Sequence, residues 1–449
     1  MISTINLFCC FKVATLPNSV SKHKRLRVLR LGYTIIESLP SSITTLENLE
    51  CLDLYSCSEL VELPEGIGNL KKLVVLDLRE CEMLRAIPKW IAQLTRLETL
   101  GLFVIGEDNE NDAQTSELEN INKIRGELTI HGIGHCIDPD VAHKEWLKQK
   151  TNLQSLTLTC ASDVGAKSKN QLEGLEPPPG IENLKIVGYS GQESMQWMLK
   201  HRGAEVAGLP RFRLLSEMEL SDFPKLERLE GLTELPCLEK LVLMTALRSI
   251  GGGPFPSLLE LYMNGMPSLG VVWMVTEESL ADVEGGQLQI EIGNRLSFLT
   301  ISECPKLMVM PYFPSSLKDL HLVQSNVQLL GLPGVDQRSS LPSSSAGLPS
   351  FSFSRLKELV LEGMAPPAGA ASYGSGCRWE LLQHLIALES LRIDSCNGLT
   401  ELPESMRSLA SLRTLRIIRC RPLCMAVCFP SGLGSSVIRK RCTFRGAVV

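Results

Sequence analysis

Aromatic residues make up only 5% of this 449-residue chain while 44% is hydrophobic, so its core must be built from aliphatic side chains. No apolar run reaches the ~18 residues that a membrane-crossing helix requires. Neither sign of charge dominates: 45 basic and 50 acidic residues leave a formal net charge of −5. That balance excludes a nucleic-acid footprint and a polybasic membrane patch. Arg439-Lys440-Arg441 is an isolated basic triplet and reads as solvated chain. The opening MISTINLFCCFK lacks the basic n-region and small-residue cleavage site of a signal peptide. None of the fifteen asparagines stands in an N-x-S/T sequon, and the fifteen cysteines are an odd number without framework spacing. These absences together predict a reducing, cytoplasmic location. There is no G-x-x-x-x-G-K-S/T phosphate loop, no G-x-G-x-x-G fingerprint and no G-x-S-x-G elbow. Neither a cofactor nor an enzymatic activity is therefore expected.

What the chain does have is a repeat. Leu26-x-x-Leu29-x-Leu31 recurs as Leu49-x-x-Leu52-x-Leu54-x-x-Cys57, as Leu73-x-x-Leu76-x-Leu78-x-x-Cys81 and as Leu97-x-x-Leu100-x-Leu102. A period near 24 with this pattern marks leucine-rich repeats. A second half repeats with it: Leu39-Pro40-x-x-Ile43-x-x-Leu46, Leu63-Pro64-x-x-Ile67-x-x-Leu70 and Ile87-Pro88-x-x-Ile91-x-x-Leu94. The first half predicts a short strand with leucines inward and the intervening residues outward. Proline, which fixes φ and lacks an N–H, suits the turn into a short helical segment on the other side. Less regular copies begin at Leu153, Ile181, Leu215, Leu238, Leu258, Leu296, Leu317, Leu356, Leu388 and Leu412, with a weaker strand at 126–130. The predicted fold is an α/β solenoid, a leucine-rich-repeat horseshoe with a parallel β-sheet on its concave face and short helical or irregular convex segments. Each coil buries its leucines only against its neighbours, so the stack is the folding unit.

The expected organisation is a partial repeat over 1–25, regular repeats over 26–105, an acidic insertion loop over 106–125, irregular repeats over 126–423 with loops near 161–180, 331–350 and 365–377, and a non-repeat tail over 424–449.

Cys57, Cys81, Cys304, Cys396 and Cys420 share one slot, three residues after the last strand leucine or isoleucine. The repeat itself sets that slot, whose side chain satisfies turn backbone groups, so a metal or redox array is not implied. His131, His135, Cys136 and His143 match no zinc spacing, and Cys420, Cys424 and Cys428 have no histidine close by. No metal site is expected. Specificity would lie in the outward strand positions. One column of the first coils reads Arg30, Asp53, Asp77, Gly101, and the next reads Gly32, Tyr55, Arg79, Phe103. Mixed charge with exposed aromatics suits a protein-binding surface, while Arg30–Asp53 and Asp77–Arg79 pairing would make it a merely solvated face. Later coils add Glu217, Glu219, Glu260, Tyr262, Asp319, His321, Glu358 and Glu362, then Arg392, Asp394 and Arg416. The middle of the array thus reads acidic and suited to a basic partner.

Several segments resemble the leucine-rich-repeat region of plant nucleotide-binding leucine-rich-repeat (NLR) disease-resistance proteins of the coiled-coil type. They are Arg125-Gly-Glu-Leu128-Thr-Ile130 followed by Leu147-Lys148-x-Lys150-x-x-Leu153, then Leu172-Glu-Gly174-Leu175 with Gly188-Tyr189-x-Gly191 and Trp197-Met198, then Phe255-Pro256-Ser257-Leu258 and Cys304-Pro305-Lys306-Leu307. The resemblance covers about residues 24–423. It implies a recognition module whose first coils pack on the receptor's nucleotide-binding domain and whose later coils meet a pathogen effector or a guarded host protein. That nucleotide-binding domain is not in this sequence, so the chain is expected to be a fragment or a truncated receptor. The alternatives are a general scaffold or substrate adaptor on the same solenoid and, further off, an enzyme using Cys424 or Cys428.

Overall fold

The computed structural model describes residues 2–106, 110–134, 146–161, 172–199 and 212–226, and beyond these 228–229, 232, 235–244, 249–250, 255–266, 271–274, 288–290, 295–304, 308–309, 316–325, 355–364, 382, 384–396, 404–420 and 443–445. Two units divide the chain, Met1–Lys225 and Leu226–Val449.

In the first unit the repeat becomes short parallel strands. These are β1 (Thr4–Asn6), β2 (Val28–Arg30), β3 (Cys51–Asp53) and β4 (Val75–Asp77), paired in that order. Leu29, Leu52 and Leu76 stand in register, and all three are fully buried. Then come β5 (Gly101–Val104), β6 (Gly126–Ile133), β7 (Leu153–Cys160), β8 (Asn183–Val187) and β9 (Glu217–Ser221), with each of the first four paired to the next. Parallel neighbours need a crossover, and a short 3-10 turn supplies it: Asn18–Lys22, Ser41–Thr45, Glu65–Asn69 and Lys89–Gln93. Pro17, Pro40, Pro64 and Pro88 precede these turns in extended conformation, as a residue without an N–H can. Ile43, Ile67 and Ile91 point into the core from each turn, and their carbonyls accept the N–H of Leu46, Leu70 and Leu94.

Just past each early strand the chain turns through left-handed backbone at a non-glycine residue: Cys9, Tyr33, Ser56 and Glu80, with φ of 62°, 60°, 55° and 60°. That conformation costs an L-residue roughly 1–2 kcal/mol. It is compensated by hydrogen bonds to the next coil, from Cys9 N to Gly32 O (2.9 Å), Tyr33 N to Tyr55 O (2.8 Å) and Ser56 N to Arg79 O (2.8 Å).

Two expectations about loops change. Within 106–125, Thr115–Asn120 is another 3-10 turn, with Leu118, Ile121 and Ile124 buried. Gln114 takes the proline position, and the Glu117 carboxylate accepts its N–H at 2.6 Å. Acidic composition here therefore belongs to an ordinary coil. Lys150, fully buried, donates its ammonium to the turn's carbonyls at Leu118 (2.8 Å) and Ile121 (2.9 Å), and burial lowers its pKa to about 8. Within 161–180, Leu172, Leu175, Pro177 and Pro178 are buried, as is Trp197, whose indole N–H donates to Leu172 O at 3.1 Å. Residues 162–171, 331–350 and 365–377 lie outside the described residues.

The second unit repeats the strand pattern. Lys240–Met244, Glu260–Asn264, Phe298–Ser302, Asp319–Val323, Glu358–Glu362, Ser390–Asp394 and Thr414–Ile418 pair in parallel, each with the next and each in register. Their inward residues, such as Leu261, Leu299, Leu320, Leu359 and Leu391, are buried in one stacked row. In the stretch expected to be a non-repeat tail, Thr443–Arg445 pairs with Arg416–Ile418. Val271–Met274 pairs with Leu288–Ile290 and with Met308–Val309, strands that no leucine spacing announced. Among the described residues no helix is long and apolar enough to cross a membrane.

Candidate functional site

The register of β2, β3 and β4 sets Arg30, Asp53 and Asp77 beside one another on the outward face. Arg30 is exposed and Asp53 half-buried, and no ion pair joins them. Asp53 instead accepts the N–H of Tyr55 at 3.1 Å. The expected Asp77–Arg79 pair does form. Arg79 Nη2 donates to Asp77 Oδ2 at 2.7 Å and Arg79 Nε to Asp77 Oδ1 at 3.0 Å, a two-pronged contact that a guanidinium makes well. The same guanidinium reaches Glu127 of β6 at 3.2 Å and lies 5.2 Å from the centre of the Tyr55 ring. Tyr55 donates its hydroxyl to Glu80 at 2.6 Å, which pushes its phenol pKa up. Rings continue away from it, Tyr55 to Tyr33 at 5.3 Å and Tyr33 to Phe8 at 5.3 Å, both edge-on. Gly32 is the empty slot beneath Phe8; a Cβ there would stand 2.8 Å from that ring. The first coils thus carry a row Phe8–Tyr33–Tyr55–Arg79 beside the column Arg30–Asp53–Asp77.

Phe103 does not join that row. It is fully buried, and it pairs in register with inward-facing Ile130. Gly101, at φ +75°, inserts one residue into the strand, and a one-residue shift exchanges the two faces. Leu102 is turned partly outward as a result. Arg79 crosses directly over Gly101, where a Cβ would stand 2.5 Å from Arg79 Cγ. Here β4 and β5 are not ladder partners; a bridge from Val75 to Thr99 and hydrogen bonds such as Leu78 N to Leu100 O (3.2 Å) join the two coils just before β5. Beside this break lies a polar groove of about 1000 Å³, lined among others by Arg79, Glu98, Arg125, Asn152 and Glu182.

In the second unit Glu260 and Tyr262 lie half-buried on the outward face, with Tyr262 Oη 3.1 Å from Glu260 Oε2. Arg392 and Arg416 stand in register, and Arg416 is exposed. Asp394, expected as a contact residue, is fully buried. It accepts hydrogen bonds from Arg392 Nη2 (2.8 Å), Arg419 Nε (2.8 Å) and Ser395 Oγ (3.0 Å). Burial raises its pKa, but these donors outweigh it and hold the carboxyl at about 2. Asp77 is likewise buried under Arg79. Of the eleven predicted contact residues, Asp77, Phe103 and Asp394 therefore belong to the internal framework. Arg419, which sequence reading missed, holds Asp394 from the next coil.

The shared cysteine slot is structural. Cys57 Sγ donates to Leu31 O at 3.3 Å and Cys81 Sγ to Leu54 O at 3.2 Å. Thr34 and Ser325 fill equivalent places, Ser325 Oγ donating to Ile301 O at 3.2 Å. Burial pushes the Cys81 thiol up to about 12. All ten described cysteines are free. Among the described residues no group of three or more His, Cys, Asp and Glu side chains could hold a metal. His135, Cys136, His143, Cys424, Cys428 and Arg439 to Arg441 lie outside the described residues.

Stacked parallel strands in register, proline-led turns and a ladder of Cys, Thr and Ser side chains define a leucine-rich-repeat solenoid, a class that presents a surface and is typically non-enzymatic. Residues 115–246 match the family model described as R13L1/DRL21 LRRs. A putative disease resistance protein of Arabidopsis thaliana is 33% identical over 372 residues, covering 76% of this chain and 24% of the relative. Disease resistance protein RGA2 of Solanum bulbocastanum is 37% identical over 257 residues, covering 51% of this chain and 25% of the relative. Along most of its length the chain is similar to the leucine-rich-repeat region of plant NLR-type disease-resistance proteins, and it spans about a quarter of these two relatives. Among solved structures, a leucine-rich-repeat protein of Leptospira interrogans aligns at 18% identity with a TM-score of 0.45, covering 93% of this chain and 90% of that one.

Proposed function

We propose that this chain is the recognition region of a plant immune receptor, acting in the defence response in the cytoplasm. It binds proteins and carries out no reaction of its own. The first coils hold the receptor's nucleotide-binding switch domain in its inactive state. The later coils meet a pathogen effector or a guarded host protein. The two sets of contacts compete, so occupying one shifts the population of the other. The observation that carries this reading is the exposed Arg30 beside Asp53, register neighbours on β2 and β3 that form no ion pair with each other. Similarity to disease-resistance proteins supplies the biological setting. The test is co-purification of the full chain with the nucleotide-binding domain of one of the relatives. Arg30→Glu should lower recovery by about fivefold or more, the size of effect that reversing one rim charge produces. Equal recovery of the variant and the parent chain would count against the assignment.

A further inference from the structure

We propose that the outward sheet face of the second unit, from Lys240–Met244 to Glu358–Glu362, binds an arginine-bearing segment of a partner protein, whose guanidinium groups stack on Tyr262 and Phe298 between the carboxylates of Glu260 and Asp319. This deepens the recognition role proposed above and rests on it.

Five strands in register build the surface. One outward column reads Lys240, Glu260, Phe298, Asp319, Glu358, and its neighbour reads Val242, Tyr262, Thr300, His321, Val360. Three rings run continuously across it, Tyr262 to Phe298 at 5.1 Å and Phe298 to His321 at 4.9 Å, and all three are half-exposed. A row of aromatic rings on the solvent side of a sheet serves no core. Carboxylates flank it: Glu260 and Asp319 lie on either side of Phe298, two strands apart and therefore roughly 10 Å from each other. Asp319 and Glu358 are register neighbours, and no ion pair among the described residues compensates either of them. Burial and the Glu358 charge push the Asp319 pKa up, against the opposing charges of His321, Lys318 and Lys357. The chain itself already sets a cation here, since the Lys240 ammonium lies 5.8 Å from the Tyr262 ring centre. A guanidinium suits the remainder better than an ammonium. It is planar, it stacks on rings and its N–H fork matches a carboxylate. An acidic segment would meet three carboxylates and is excluded by the same charges.

The experiment is isothermal titration of the full chain with the peptide Gly-Arg-Gly-Arg-Gly-Arg, and with Gly-Glu-Gly-Glu-Gly-Glu as the opposite-charge probe. The arginine peptide should bind and the glutamate peptide should not. The nearly isosteric pair Glu260→Gln with Asp319→Asn should weaken binding by about tenfold or more, whereas Glu37→Gln with Glu47→Gln, the same charge change on exposed positions of the first unit, should leave it within about twofold. Phe298→Leu, which alters no charge, should weaken it by about fivefold. Equal losses in the two charge-matched pairs would mean attraction to net charge alone and would overturn the proposal, as would no binding of the arginine peptide. If peptide binding fails while co-purification still depends on Arg30, this surface falls and the recognition role stands.

Discussion

Arg79 offers the most exacting test of the internal framework, because one side chain spans the break between β4 and β5. Arg79→Met keeps the aliphatic stem over Gly101 but removes the two-pronged contact with Asp77, the reach to Glu127 and the stacking on Tyr55. Hydrogen bonds to charged groups contribute about 1.5–3 kcal/mol each, but the Arg79 side chain is 42% exposed, so solvent screening reduces the total to about 2 kcal/mol. Most of that cost is the Asp77 carboxylate left buried without its cation. Arrays of repeats do not unfold in one step, so the readout should be local. Amide exchange followed by mass spectrometry over residues 75–82 should accelerate by about thirtyfold, the ratio that 2 kcal/mol implies. Adding Asp77→Asn removes the stranded charge and should restore at least about half of the lost protection. Arg27→Met is the comparison. Its partner Glu50 lies one coil on, but the two side chains are 60% and 36% exposed, so the loss should stay below about 0.5 kcal/mol. Equal, small effects of Arg79→Met and Arg27→Met would refute the role assigned to Arg79.

Phe103→Ala should cost about 3–5 kcal/mol of local stability, as an emptied core site does, while Tyr55→Ala, at a half-exposed site, should cost clearly less; exchange rates over β5 and β3 compare them. Asp394 has a folded pKa of about 2 against an ordinary 3.8, so it favours the folded state above pH 4, and this stabilisation is lost as pH falls towards 2. Asp394→Asn should therefore flatten the loss of stability between pH 4 and pH 2, measured by acid titration of the far-ultraviolet signal. An unchanged profile would separate Asp394 from acid unfolding.

Much of this architecture is legible in the spacing of leucines, because a buried row on a period-2 strand leaves little freedom. Leu29, Leu52 and Leu76 fall into register as their positions require. The cysteine slot is equally legible, since the repeat sets it. Legibility fails where backbone geometry changes without a change in composition. At Gly101 one left-handed residue moves Phe103 into the leucine row, and nothing in Leu97-x-x-Leu100-x-Leu102 announces it. At Thr115–Asn120 an acidic composition concealed a normal coil, because Gln114 stands where earlier coils have proline. The left-handed turns at Tyr33, Ser56 and Glu80 were hidden because none is glycine or asparagine. On the outward face the columns follow the spacing over the first three coils and fail at Gly101 and Phe103, and which charges are consumed internally depends on rotamers. Asp77 and Arg79 meet, whereas Arg30 and Asp53, also neighbours, do not. Asp394 looked available until Arg419, one coil on, closed over it.

The central claim is that coils stack in register, with one row of side chains sealed between them and another left to solvent. Native thiols report on it without any substitution. When the folded chain is exposed briefly to a thiol-alkylating reagent and mapped by mass spectrometry, Cys9, Cys10 and Cys237 should label rapidly, while Cys57, Cys81, Cys160, Cys304, Cys396 and Cys420 should label only after denaturation. Labelling of Cys57 and Cys81 as fast as Cys9 and Cys10 would contradict the stack.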